Sequence, residues 1–433
     1  KESEGMSLLE SVRKSTTRME LRSKAAMELA RVYLRENSRG AIPYLEDAVS
    51  LSDPEEQKNA LMLLSRVYSD TGRYDDAERL LELLKSKYPY DSNIEEVQFL
   101  LSRVYLARAE YGKAREGFEA LREMNPFSRY IPESYYYIAV AEFDEGRAGS
   151  AFETMKKYLS QPGSAKKLQA REKLCEWNLS AGNLAGARKA LDEVMRFHGS
   201  DEEAAAILYR YGSALYDKNP TVRAHLDFVV KRYPQSENAG KIMMRFGDEA
   251  FRGGDYRTAE RNYRQYLSVE RREFASSVFL YRIISLYRLA RYADVIRAVD
   301  EGPVPPSDDF TMKLIAQWKA KSHYHAGQPA KAYAILKDYD IVSFSEQDLR
   351  ITARSALAAK DAALAVRATE LLRRNNSMYA EGLYDLGRFY SDAGDHARAS
   401  GFFERILAEC PDTEFADSAR IEGARIAIAE RRY

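Results

Sequence analysis

The chain has 433 residues, with 66 Lys and Arg set against 66 Asp and Glu, 45% hydrophobic residues and two cysteines. Neutrality excludes a net field that draws nucleic acid or anionic lipid, and no run approaches the ~18 apolar residues of a membrane-spanning helix. Two cysteines, Cys175 and Cys410, make no disulfide scaffold, and in a stack of repeats they would fall in distant units. Residues 1–23 read as an N-terminal helix or cap. From Lys24 onward a small residue, nearly always alanine, returns at intervals of 33 to 37: Ala41, Ala77, Ala114, Ala151, Ala187, Ala224, Ala259, Val295, Ala332, Ala365 and Ala399. Length alone suggests about three domains. The beat overrules that, because a stack of helix pairs needs one small residue where the helices of each pair touch most closely.

The units share a frame around this anchor. The second has Leu61, Leu64, Ser65 and Tyr68, then Gly72, Tyr74 and Ala77, then Leu81, Leu84 and Pro89. The third has Leu101, Ser102, Tyr105, Tyr111, Ala114, Phe118, Leu121 and Pro126. A weak break follows at Gln161-Pro162-Gly163-Ser164. The seventh unit carries Phe246, Gly247, Gly254, Asp255, Tyr256, Ala259 and Tyr263. Gly302-Pro303-Val304-Pro305-Pro306-Ser307 is the strongest break, since three prolines in four positions cannot continue a helix. It reads as a stiff loop, with a joint between two solenoid segments as the alternative. The last unit has Leu383, Leu386, Gly387, Tyr390, Gly394, Ala399, Phe403, Ile406 and Pro411, and an amphipathic tail follows. Apolar residues at i, i+3, i+4 and i+7 predict helices on both sides of each turn. Glycine five before six of the anchors predicts a left-handed helix end. Pro89, Pro126, Pro234 and Pro411 close second helices.

This frame, from Lys24 to Asp412, resembles the tetratricopeptide repeat family; units two, three, seven and eleven carry the resemblance best. It implies an all-α, right-handed superhelical solenoid of about eleven helix hairpins. The divisions are 1–23, a first segment 24–302, a second segment 309–412 and a C-terminal capping helix 413–433. The joints Tyr88-Pro89, Tyr233-Pro234 and Cys410-Pro411 are similar to those of bacterial envelope proteins with these repeats. That implies a periplasmic or outer-membrane-associated protein, with a lipid anchor upstream of Lys1 as a further expectation and the cytoplasm as the alternative. A chain that begins at Lys1 says little about leaders.

The sequence offers little chemistry. His323 and His325 are two apart on a helix and point to different faces, unlike a zinc pair at i, i+4. His198, His225 and His396 have no Cys or His cluster around them. Gly253-Gly254 is a helix-end turn rather than a phosphate loop, and Arg261, Arg264, Arg271 and Arg272 read as a solvated helix face. Cys175 takes the small-residue place of Ser65 and Gly387, which reads as packing. No cofactor, metal or catalytic residue is expected, and the chain reads as a non-enzyme.

The expected partners are proteins or peptides rather than nucleic acid. In the resembled family, first-helix residues line the groove. The places of the family's Lys/Asn peptide clamp hold Met62 and Arg66, Phe99 and Arg103, and Tyr136 and Val140, so that clamp is absent. Arg66, Arg103 and Arg388 occupy equivalent places, where arginine forks onto a ligand carboxylate or pairs with a neighbouring repeat's acid. Eight residues before the anchors runs a stripe of Leu106, Phe143, Leu179, Tyr216, Phe251, Tyr287, Tyr324 and Leu357. Because Glu142, Asn178, Ala250 and His323 precede some of these, the rings read first as displaced core and second as a groove ladder. The candidate partner-binding residues are therefore Arg66, Phe99, Arg103, Tyr136, Phe143, Tyr209, Tyr216, Phe251, Tyr287, Tyr324 and Arg388. The chain reads as a scaffold or adaptor that binds proteins through the groove. The alternative is a carrier of a small apolar ligand or extended peptide.

Overall fold

The computed structural model describes residues 2–36, 38–51, 53–269, 273–302, 305 and 308–430. Among them every regular element is helical. A leading helix, Glu2–Ser15, precedes a first hairpin of Met19–Glu36 and Ile42–Leu51. The second hairpin is Pro54–Asp70 with Tyr74–Lys87, the third Ile94–Ala107 with Tyr111–Met124, and the fourth Ile131–Asp144 with Ala148–Ser160. Lys167–Ser180 with Leu184–His198 and Glu202–Lys218 with Arg223–Arg232 are the fifth and sixth. Glu237–Arg252 with Tyr256–Tyr266 and Ala275–Arg288 with Tyr292–Asp300 are the seventh and eighth. Asp309–His325 with Pro329–Leu336, Glu346–Ala358 with Ala362–Leu371 and Asn376–Asp392 with His396–Glu409 complete eleven, and Glu414–Ala429 follows. The chain is an all-α solenoid of stacked hairpins. It divides into two compact units, Lys1–Ser200 with Ala214–Pro220, and Asp201–Ser213 with Thr221–Tyr433. The expected joint at 302–307 falls largely outside the described residues, as do Arg271 and Arg272.

Ten of the eleven anchors are fully buried. The residues four and seven beyond them repeat the burial: Leu81 and Leu84, Phe118 and Leu121, Met155 and Tyr158, Tyr263 and Tyr266, Phe403 and Ile406. Alanine fits at the anchor because it fills the crossing without holding the helices apart. The sixth hairpin corrects the expected register. Ala224 is exposed, and Val222 takes the anchor's place, with Leu226 and Val229 following at the same intervals. Pro220 explains the shift. It starts the 3-10 turn Pro220–Val222, so the connection is short and lacks the usual glycine, and the second helix begins at Arg223.

Nine hairpin turns share one geometry. The residue five before the anchor has positive φ, and the next N–H donates to the carbonyl five residues back, as Arg73 does to Tyr68 at 2.8 Å and Asp395 to Tyr390 at 2.9 Å. Six of these turns use glycine; Ala109, Ala290 and Lys360 hold the others at φ 59°, 55° and 64°. A Cβ there is strained by about 1–2 kcal/mol. Ala109→Gly is therefore expected to stabilise the third hairpin by about 0.5–1 kcal/mol after the greater chain entropy of glycine is offset. Slower amide exchange over Tyr111–Met124 is the readout.

The Pro-containing joints follow from packing too. Second helices end two residues before Pro89, Pro126, Pro234 and Pro411. The residue between then reaches back to the start of its own hairpin. The Tyr88 hydroxyl donates to the Pro54 carbonyl at 3.5 Å, the Tyr233 hydroxyl to the Asp201 carbonyl at 2.9 Å, and the Cys410 thiol to Asn376 Oδ1 at 3.4 Å. Cys175 is buried, and burial pushes its thiol pKa up, which suits packing rather than reactivity.

Candidate functional site

First helices of successive hairpins touch one another, as in the pairs from Ala275–Arg288 through Asp309–His325, Glu346–Ala358 and Asn376–Asp392 to Glu414–Ala429. Within each compact unit such contacts set first helices side by side, and the side chains between adjacent members make the candidate surface.

The arginines behave differently from one another. Arg66 pairs with Glu96 on the next first helix, and Arg388 lies 4.0 Å from Glu422 on the one after it. Both are held by the neighbouring repeat's acid. Arg103 lies over the Tyr137 ring at 5.4 Å, with no acid partner among the described residues. The same inter-repeat pairing recurs where Arg350 meets Glu381 at 2.6 Å and Arg354 meets Asp385 at 2.7 Å. Burial raises the Asp385 carboxyl above its ordinary range, and Arg354 opposes that shift.

Phe99, expected at the groove, belongs to the core. It is buried, stacked on Tyr130 at 4.8 Å and set edge-on to Phe118 at 5.7 Å. Rings of the following hairpin close over it. Tyr136 is half-buried, edge-on to Tyr158, and burial pushes its hydroxyl up to about 12. Tyr209 is half-buried, with the Lys241 ammonium 5.9 Å from its ring centre.

The stripe occupies the last turn of each first helix, and all eight residues are half-buried. Asn178 and His323 keep the buried places before Leu179 and Tyr324, so those two side chains have not moved to fill the same core. Instead the rings lean onto the next first helix. Phe143 stacks on Trp177 at 4.5 Å, Phe251 meets Tyr281 at 5.2 Å, and Tyr287 meets Trp318 at 4.8 Å. Tyr216 sits in the same turn of Glu202–Lys218. Tyr324 lies 5.2 Å from the His325 ring.

One open place among these helices lies in the second compact unit. Between the first helices of the eighth, ninth and tenth hairpins is a cleft of about 460 Å³, lined by Tyr287, Arg288, Trp318, Lys321, Tyr324 and His325, and by Ser345, Gln347, Asp348, Arg350 and Ile351 from the start of the tenth hairpin. The Lys321 ammonium lies 3.8 Å from the Trp318 ring centre and 2.6 Å from Asp348. Ser345 caps the helix at Asp348 N–H, and its hydroxyl donates to Asp348 Oδ2 at 2.7 Å. Of these residues, sequence reasoning found only Tyr287 and Tyr324. The one available signal for the rest is charge complementarity one repeat apart, as between Lys321 and Asp348.

Among the described residues no group of three or more His, Cys, Asp and Glu could hold a metal ion, and no helix is long and apolar enough to cross a membrane. Tetratricopeptide repeat models match residues 33–98, 99–165 and 352–413. No curated protein matches the chain in sequence. Similar solved structures include the C-terminal part of a TPR repeat-containing protein from Cytophaga hutchinsonii, at 15% identity and TM-score 0.32, covering 74% of this chain and 98% of that one. Another is a tetratricopeptide repeat protein from Parabacteroides merdae, at 12% identity and TM-score 0.31, covering 69% and 98%. Repeats of this kind generally mediate protein–protein interaction, and the fold is typically a non-catalytic scaffold. With turns and anchors in the same frame, residues 33–165 and 352–413 carry tetratricopeptide repeats.

Proposed function

We propose that this chain is a non-catalytic adaptor that holds partner proteins along its first helices, as part of a bacterial envelope complex. The observation that carries the binding reading is the cleft between the first helices of the eighth, ninth and tenth hairpins, where aromatic and charged side chains converge. The envelope location rests on the resemblance of the Tyr-Pro and Cys-Pro joints alone.

A carrier for a small apolar ligand fits less well. Phe143, Phe251 and Tyr287 already give ring surface to the next hairpin, which takes up apolar area a small ligand would need. The adaptor reading is tested by native affinity purification from fractionated source cells. A stoichiometric protein partner in the envelope fraction is expected. Recovery of the chain alone, or with a bound small molecule in place of protein, overturns the reading.

A further inference from the structure

We propose that the cleft between the eighth, ninth and tenth hairpins takes a peptide segment in which an acidic side chain stands beside an aromatic or large aliphatic one. This rests on the adaptor reading and names the chemistry of its partner. Ring faces and Ile351 form the apolar part of the cleft's wall, and its volume of about 460 Å³ suits side chains rather than a folded surface.

The sign of the ligand's charge follows from what the cleft has already used. An aromatic wall beside a carboxylate is ordinarily a site for a cation. Here the protein's own Lys321 fills it, against Trp318 and paired with Asp348. Arg350 is taken by Glu381. Burial and the nearby Arg350 both push the His325 pKa down, so its imidazole is neutral near pH 7. Arg288 remains. It ends the eighth hairpin's first helix, directly after Tyr287, and is exposed. Among the described residues no acid pairs with it. The uncommitted charge offered to a ligand is therefore a guanidinium, which favours a carboxylate through paired N–H donors. The cleft also lies outside the segments that match the family models, and the family's Lys/Asn clamp is absent from the first-helix places noted above.

The test pans a random twelve-residue peptide library on the intact chain and on Arg288→Glu. Enrichment on the intact chain of peptides with Asp or Glu one or two places from an aromatic or large aliphatic residue is expected. In a Trp177→Phe background Trp318 is the sole tryptophan. A synthetic copy of the top peptide should shift its emission saturably. Arg288→Ala, and Asn or Gln for the peptide's acid, should each weaken binding by about tenfold or more. Equal affinity for Arg288→Ala, enrichment of peptides lacking an acid, or a library that yields no binder sinks the cleft assignment. In those cases the adaptor reading stands or falls separately, on whether native purification returns a protein partner.

Discussion

Phe403→Ala is expected to destabilise the eleventh hairpin by about 3–5 kcal/mol, the largest loss available to a single side chain there. The ring is fully buried, four residues beyond the Ala399 anchor, in the core cluster that includes Tyr379, Leu383 and Ile406. Its shape is matched by an absence on the first helix. A Cβ placed on Gly387 would stand 2.5 Å from Phe403 Cε1 and 2.8 Å from Cζ, closer than real carbons approach. Gly387→Ala should therefore cost about 1–3 kcal/mol by overpacking. Combining Gly387→Ala with Phe403→Leu should lose less than the sum of the two single changes, because the smaller side chain vacates the space the new methyl needs. Gly247 and Tyr263 repeat the arrangement in the seventh hairpin, with Tyr263 Cε1 2.5 Å from the hypothetical Cβ. Urea unfolding followed by hydrogen exchange separates these effects from global ones, since a repeat array need not unfold in one step. Additive losses in the double variant would contradict the pairing of small and large residues.

Ala114→Leu carries the second large effect. Ala114 is fully buried at the crossing of Ile94–Ala107 and Tyr111–Met124, among Phe99, Phe118 and Leu121. Three added heavy atoms have no void to enter, so the helices must separate or the rings leave their rotamers, at a cost of about 1–3 kcal/mol. Alanine at exposed Ala224 offers the internal control. Ala224→Leu should change stability by less than about 0.5 kcal/mol, as exposed substitutions generally do. An equal loss at both sites would mean that the recurrence of alanine, rather than its burial at a crossing, had been mistaken for the structural rule.

The hairpins were legible in the sequence because a close helix crossing constrains side-chain volume, and that constraint returns with every repeat. Turns were legible wherever glycine marks them. Ala109, Ala290 and Lys360 hid three, since the shared hydrogen bonds impose the left-handed conformation there against the residue's preference. The sixth anchor was misplaced at Ala224 because Pro220 shortens one connection, a local event that a periodic reading averages away.

The candidate surface was less legible. Position along a helix can be read from spacing, but what lies across from it depends on how successive hairpins meet. Arg66 and Arg388 could be placed on first helices, yet only the packing shows Glu96 and Glu422 engaging them. Phe99 shared its place in the repeat with Tyr136, and the difference lies in Tyr130 and Tyr137 folding against it from the next hairpin. Arg288 stands out only after Lys321 and Arg350 are seen to be paired, which involves acids 27 and 31 residues further along.

Hydrogen–deuterium exchange of Ala114→Leu against the parent chain tests the stacked-hairpin account most directly. Each hairpin draws its stability from itself and its immediate neighbours. Faster exchange is predicted over the third hairpin, weaker acceleration over the second and fourth, and unchanged protection beyond Lys167. Acceleration spread evenly to the eleventh hairpin would instead describe one undivided core, and would contradict it.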